Sequence, residues 1–449
     1  MWVDRPQGLI LVFRAILHLD GGSPGVIRGV AAAAAAATVV ATFLVALRVA
    51  GRITASACAL LMASAGASPF LESFTLAGEL VASLPAILSL LAFTSYLRGR
   101  RPGWLVVAGL LSGCAVMVKQ SGFDAALAAV VFLAWTERRR AVRPALVVLA
   151  AGAVPVLVGA LAAGDLGRWW FAVVGYRGEG DSIVTGSLVH RLDLLQQSLP
   201  AVAKGLGLLA LLALAGWRRS PLLVRLWLGA AALGVVGGGN FHPHYYLQLV
   251  PPLAVLAGAG VERLLRARLR LAAAVCAAAA AGTVAVTAPL WFAGGGAQAR
   301  AVWPRDPHLV RDGAVARYIE RHTRTGDPVL LVWAAADVYY LADRAPAIPY
   351  MWRRNLEAIP GALGDARQAL AEGRPALVAQ VQSVGSLDRS GKTAAILRRA
   401  YRRVATVEGV PVYAPRPRLR PAAEEAPVQL SRAVRRRVSP PRRPPVWAG

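Results

Sequence analysis

Charge is what this sequence has least of: Asp, Glu, Lys and Arg make up only 16% of its 449 residues, against about 25% in an ordinary soluble domain. That deficit excludes a conventional globular protein in water and points to a bilayer. Lysine is nearly absent, with Lys119, Lys204 and Lys392 the complete set. Cysteine is as sparse: Cys58, Cys114 and Cys276 each lie within an apolar segment, which excludes a disulfide framework and reads as small buried hydrophobes. No Gly-rich phosphate loop, nucleic-acid motif or signal-cleavage pattern is found.

Apolar length is abundant. Hydrophobic residues account for 56% of the chain, and the mean hydropathy is +0.50. Apolar runs recur at Val26–Val49, Ile53–Pro69, Glu79–Leu97, Trp104–Val118, Phe123–Trp135 and Pro144–Ala163. Four more follow at Pro200–Gly216, Leu222–Gly238, Tyr245–Val261 and Leu271–Phe292. A run of roughly 18 to 25 residues spans a hydrocarbon core, so about ten transmembrane helices are expected. The span from Phe123 is short and carries Asp124, as a broken or tilted helix would. The run Ala31–Ala37 is only weakly lipophilic for a first span.

The formal net charge of +26 is topological. Arg48 and Arg52 share one connection, and Arg98, Arg100 and Arg101 the next but one. Arg138, Arg139, Arg140 and Arg143, then Arg218, Arg219 and Arg225, then Arg263, Arg266, Arg268 and Arg270 continue the alternation. Basic loops on one side mark that side as cytoplasmic, and nucleic acid is not an expected partner. Residues 1–25, 70–78, 119–122, 164–199, 239–244 and everything after Phe292 are thereby expected to face outward. The expected domains are an outward juxtamembrane loop over 1–25, a multi-helix membrane domain over 26–299, an extracytoplasmic α/β domain over 300–415, and a disordered Arg/Pro-rich tail over 416–449. In the third, helical spacing over Val310–Ile319 precedes a strand at Val329–Trp333. A second strand, Ala376–Val381, is followed by a helix at Lys392–Tyr401 and strand-like Val404–Val407 and Val410–Tyr413. No catalytic motif marks this layer, which fits support or acceptor handling.

The outward loops hold the residues able to do chemistry. Asp4-Arg5-Pro6-Gln7-Gly8-Leu9 sets an acid beside a cation, where a base could neighbour an anion site; an interfacial ion pair is the plainer reading. Glu72 and Glu79 bracket the start of the third span, and Glu79 runs straight into it; an acid there either serves a cavity or caps a solvated helix start. Lys119-Gln120-Ser121-Gly122 closes the fourth span, with Lys119 an anion ligand or a snorkelling cation. His242-Pro243-His244-Tyr245-Tyr246 lies between the eighth and ninth spans. Two histidines at i and i+2 face opposite ways on a helix, so only the Pro243 kink lets both serve one site. Two ligands fall short of a zinc site, and phosphate or substrate contact fits better than an aromatic belt alone.

In order and sidedness, the Asp4–Leu9 segment, Glu79, Gly113…Lys119-Gln120-Ser121-Gly122 and His244-Tyr245-Tyr246…Pro251-Pro252 resemble the glycosyltransferase C superfamily. The likeness runs over 1 to about 415 and is greatest to the bacterial branch of protein mannosyltransferase-like and aminoarabinose-transferase-like enzymes. It implies an inverting glycosyltransferase of the bacterial plasma membrane. A polyprenyl-phosphate sugar would be the donor, and an envelope glycan, lipid or protein the acceptor. It implies Asp4 as catalytic base, Arg5 on the lipid phosphate, and Glu79, Lys119, His242, His244 and Tyr245 as substrate-binding residues. The lipid-linked sugar is the donor it implies; the cofactor stays unknown, with a divalent metal left open but not indicated by any residue set. The sequence departs from the family in one respect. The family's principal catalytic acid follows an additional first helix, whereas here Met1 is three residues from Asp4, so a truncated or inactive relative, or a non-catalytic partner in envelope assembly, is the competing expectation. A transporter is disfavoured, because no internal repeat or paired broken helices are present.

The topology has a direct test. A reporter that is active only in the cytoplasm, fused after Pro415, is expected to stay silent; a bright signal refutes the assigned orientation.

Overall fold

The computed structural model describes residues 6–20, 23–73, 75–176, 187–267, 270–303, 306, 308–333 and 335–417. The chain divides into two compact units, Val3–Ile16 with Gly22–Asp306, and Pro307–Gly449 with Met1–Trp2 and Leu17–Gly21. Asp4 and Arg5 lie outside the described residues, as does the tail from 418.

The first unit is helical throughout. Its elements are α1 (Gln7–Asp20), α2 (Pro24–Val49), α3 (Arg52–Gly66), α4 (Gly78–Gly99), α5 (Gly103–Val118), α6 (Asp124–Glu137) and α7 (Val142–Ala162). After these come α8 (Leu166–Trp170), α9 (Leu188–Gly216), α10 (Leu222–Gly238), α11 (Val250–Arg266), α12 (Arg270–Trp291) and α13 (Gly295–Val302). Among the described residues, four helical stretches are long and apolar enough to cross a membrane, and further apolar helices are shorter. Their outer faces are greasy: on α7, Leu146, Leu149, Leu157, Val158 and Leu161 are all more than half exposed. Such a surface is stable only in contact with lipid.

Two stretches read as loops are in fact helical. Residues 7–20 form α1, because Leu9, Val12, Phe13 and Ile16 recur at helical spacing; Ile16 is buried, with Val12 and Phe13 packed on the core. Helix α9 starts at Leu188, twelve residues before the expected Pro200, and runs through that proline. Ser187 starts it, its hydroxyl accepting from His190 N–H at 3.1 Å, as an N-cap should. Proline inside a membrane helix is tolerated because neighbouring groups satisfy the freed carbonyl; Pro85 in α4 and Pro155 in α7 are further examples. Cys58 is buried as expected, whereas Cys114 is exposed on α5.

Backbones approach closely at two crossings. A Cβ added at Gly113 would strike the Gly152 carbonyl of α7, and one at Gly109 would lie 2.7 Å from Ala151 Cβ. At the second, a Cβ at Gly260 of α11 would strike Leu212 O of α9 and lie 3.2 Å from Gly216 N. Lipid gives helices no hydrophobic reason to associate, so close van der Waals packing at small residues carries the contact.

The second unit contains α14 (His308–His322), β1 (Val329–Leu331), α15 (Ala336–Leu341), α16 (Arg353–Ala358), α17 (Ala362–Ala371), β2 (Leu377–Ala379), α18 (Lys392–Ala400), β3 (Tyr401–Val407) and β4 (Val410–Pro415). The sheet order is β1-β2-β4-β3, with β1 and β2 parallel and the other two pairings antiparallel. Both short strands β1 and β2 are fully buried. Just after β4, Arg416 donates from Nε to Tyr401 O at 3.2 Å. Asp388 fixes the start of α18. Burial works to raise its pKa, but hydrogen bonds from Ser390, Thr393 and Arg367 prevail and hold it well below the usual carboxylate range.

Gly260→Leu should therefore separate α9 from α11, with a loss of about 1–3 kcal/mol from overpacking. Gly229→Leu meets open space and should be neutral. Equal thermal stability of the two variants in detergent would contradict the crossing.

Candidate functional site

Helix α5 ends abruptly. Lys119 is extended (φ −149°, ψ 134°), and a 3-10 turn over Gln120–Phe123 leads into α6. The turn folds back tightly enough that a Cβ on Gly122 would lie 2.7 Å from the Ala115 carbonyl carbon. Lys119 is thereby aimed into the bundle, where its Nζ pairs with Glu79 Oε1 from the first turn of α4. Both side chains are buried, 10% and 3% exposed respectively, so Glu79 is no solvated cap. Nζ also stands 3.8 Å from the centroid of the Tyr245 ring, a favourable cation–π distance that strengthens once water is removed.

The histidine segment meets this pair through Tyr245. His242 is extended, and Pro243 opens a 3-10 turn over Pro243–Leu249 ahead of α11. This turn brings the i and i+2 rings parallel, 5.5 Å apart with a 4° interplanar angle. Tyr245 stands edge-on to both, 5.5 Å from His242 and 5.0 Å from His244. His244 Nδ1 pairs with Glu72 Oε2 at 2.6 Å, and Trp303 Nε1 donates to Glu72 Oε1 at 3.2 Å. Glu72 reaches them from a left-handed backbone, φ 54°, an uncommon conformation for a residue with a Cβ.

Glu79, Lys119 and Tyr245, with Gln120, Ser121 and Gln248, form the polar wall of a cavity of about 350 Å³. Gln248 donates to Ser121 O at 2.7 Å and Gln120 to Val173 O at 3.1 Å. Val173 belongs to a π-turn over Phe171–Gly175. The N-terminal segment is fixed beside the same end of α5. Gly8 lies so close that a Cβ there would be 2.5 Å from Met117 O, and Gln7 Oε1 accepts from Trp169 Nε1 at 2.9 Å. A second cavity of about 480 Å³ is walled by Ala31, Ala32, Ala35, Ala36, Ala63 and Ala67. Its hydroxyls turn back on the backbone: Thr38 to Ala35 O, Ser73 to Ser68 O and Ser83 to Glu79 O. The alanine run, weak as a lipid-facing surface, is thus the wall of an apolar chamber.

Of the residues singled out in the sequence, Glu79, Lys119 and Tyr245 meet directly, and His242 and His244 join through Tyr245. Glu72 was noted only as a neighbour of Glu79, and its bond to His244 spans 172 positions, beyond any local pattern. Gln248 and Trp303 went unremarked; a lone amide between Leu247 and Leu249 was the available signal for the first. Asp124 is buried and accepts from Trp227 Nε1 at 3.0 Å, tying α6 to α10. Among the described residues, no three His, Cys, Asp or Glu side chains are grouped to hold a metal.

An ammonium held in a dry pocket by one carboxylate and one ring can bind an anionic oxygen with little reorganisation. Glu79→Gln should destabilise the protein by about 3–5 kcal/mol, because it leaves the lysine charge buried and unpaired. The double variant Glu79→Leu/Lys119→Met should recover most of that stability yet lose affinity for a phosphate-bearing lipid. Wild-type lipid affinity in the double variant would remove Lys119 from the site.

Residues 4–162 match the sequence model of the dolichyl-phosphate-mannose-protein mannosyltransferase family. No curated protein matches the chain in sequence. Among solved structures, ArnT from Cupriavidus metallidurans in its apo state is similar at a TM-score of 0.61 and 14% identity, over 94% of this chain and 89% of that one. The same protein bound to undecaprenyl phosphate gives 0.61 at 16% identity, over 94% and 90%. The Archaeoglobus fulgidus oligosaccharyltransferase, in complex with zinc and sulfate, gives 0.53 at 15% identity, over 85% of this chain and 60% of that one. The chain therefore has the glycosyltransferase C membrane fold, and its first third carries the protein mannosyltransferase family match.

Proposed function

We propose that this protein is a multi-pass glycosyltransferase of the bacterial plasma membrane. It transfers a sugar, with inversion, from a polyprenyl-phosphate donor to an acceptor on the outer face, where the second unit also lies. The observation that carries the reading is the buried Lys119, oriented by Glu79 and Tyr245 at the wall of a cavity. The family-matched segment ends one side of that cavity, and the undecaprenyl phosphate seen on the similar ArnT supports this donor class.

In this scheme Lys119 faces the donor phosphate, and Glu79 keeps the ammonium in place rather than acting as base. Arg5, the cation beside Asp4 in the Asp4–Leu9 segment, supplies a second positive charge. The acceptor oxygen attacks the sugar C1 as the C1–O bond to phosphate breaks. The bonding pair leaves with the phosphate oxygen, whose growing charge Lys119 and Arg5 compensate. The acceptor proton passes to the Asp4 carboxylate. His242 and His244, with Glu72 orienting His244, line the approach of acceptor or phosphate. The alanine-walled chamber, apolar over most of its wall with Arg28 and Gln298 among its polar lining, suits an isoprenoid chain.

Three variants at two positions test the assignment. Arg5→Ala should weaken donor binding, with Arg5→Lys retaining part of the activity because a point charge lacks the bidentate fork. Asp4→Asn should abolish turnover while donor binding persists. A merely modest loss moves the base elsewhere, and normal turnover in both Arg5→Ala and Asp4→Asn removes the segment from the active site. Donor binding without any turnover in the unaltered chain would favour a non-catalytic partner in envelope assembly.

A further inference from the structure

At the other end of α4 from Glu79 lies a cleft of about 500 Å³ that the proposed reaction does not use. Ser95, which Arg48 contacts there, is 16 residues from Glu79, or about 24 Å along a helix, so the cleft opens at the opposite membrane face. Arg48, Arg219, Arg263 and Arg266 line it, with Glu262 its one acid. They come from the end of α2, the turn after α9 and the end of α11, so one basic loop does not account for the cluster.

Two of the arginines, Arg48 and Arg263, are held in place without being neutralised. One nitrogen of Arg48 donates to Leu91 O at 2.8 Å and to Ser95 Oγ at 2.5 Å; one nitrogen of Arg263 donates to Ala215 O at 2.8 Å. Carbonyls and hydroxyls fix a guanidinium but leave its charge and its remaining N–H donors available. Glu262 is already engaged, accepting from Thr54 Oγ1 and from Arg266, each at 2.5 Å. Arg219 has no hydrogen-bond or ion-pair partner among the described residues. Four cations against one acid leave a surplus of three charges in a preorganised cleft. Leu47, Val49 and Ala259 supply an apolar floor, and Ile53 and Leu265 beside it are about half exposed.

We propose that this cleft binds the phosphodiester headgroup of an anionic phospholipid, its acyl chains lying on the adjoining apolar surface. A phosphodiester offers the oxygens that guanidinium forks grip, and basic pockets between helices at a membrane face recognise such headgroups. A second basic groove, lined by Arg139, Arg140 and Arg143, supplies the control. Its arginines come from one stretch of chain, and among the described residues neither the Arg139 nor the Arg140 side chain is hydrogen-bonded to a carbonyl.

Native mass spectrometry of the full chain in detergent, titrated with phosphatidylglycerol or phosphatidylcholine, tests the proposal. One phosphatidylglycerol is expected to bind at least about tenfold more tightly than phosphatidylcholine, the equivalent of one charge-assisted contact. Arg219→Gln/Arg266→Gln should remove that preference, and Arg139→Gln/Arg140→Gln should leave it within about twofold. Arg219→Gln alone, a change that breaks no contact among the described residues, should weaken binding about threefold and serves if the double variant does not fold. Equal losses in the two double variants would reduce the effect to general surface charge and overturn the site. Displacement of the lipid by millimolar inorganic phosphate would reassign the cleft to a free anion.

Discussion

One buried ion pair organises the candidate site. Lys119 and Glu79 are taken out of water together, and a charge in that position is tolerable only while its partner stays. The pair therefore fixes the end of α5 against the start of α4. It also determines where Tyr245 stands, since its ring closes over the ammonium. The histidines, Glu72 and Trp303 then follow from Tyr245 outward. The arrangement is electrostatic at its centre and aromatic at its edge, as expected where substrate charge must be met inside a low-dielectric wall.

The rest of the bundle makes that pairing geometrically achievable. Gly109 and Gly113 against Gly152 bring α7 close to α5, and Gln248 and Gln120 tie the turn after Lys119 to the 3-10 turn ahead of α11 and to the π-turn. Each is a short-range device that removes freedom from Lys119. A lysine carries considerable rotamer entropy when free, so holding its stem and head in advance leaves less to be lost when an anion arrives.

Much of this was legible in the sequence, for identifiable reasons. Helix positions in the membrane unit followed from apolar length, and Glu79, Lys119 and the His-Pro-His segment stood out because charge and imidazole are conspicuous in an apolar chain. The Pro243 kink was read correctly as the way to bring two histidines to one side. Helix α1 and the early start of α9 were missed, because amphipathic turns at a membrane surface lack the length that marks a span. Glu72 could not be ranked, since its significance lies in a contact across most of the membrane unit. Charge alternation assigned the arginines to one face but could not show that four of them share a cleft, which depends on how three helix ends pack.

Helix α4 has a mechanical consequence for the membrane it sits in. It is held at one end by the Glu79 pair and at the other by Arg48 on the Leu91 carbonyl, with Pro85 between. A helix free at one end answers a thinner or thicker bilayer by tilting. One pinned at both ends has to bend where its hydrogen-bond ladder is already interrupted, and here that place is Pro85.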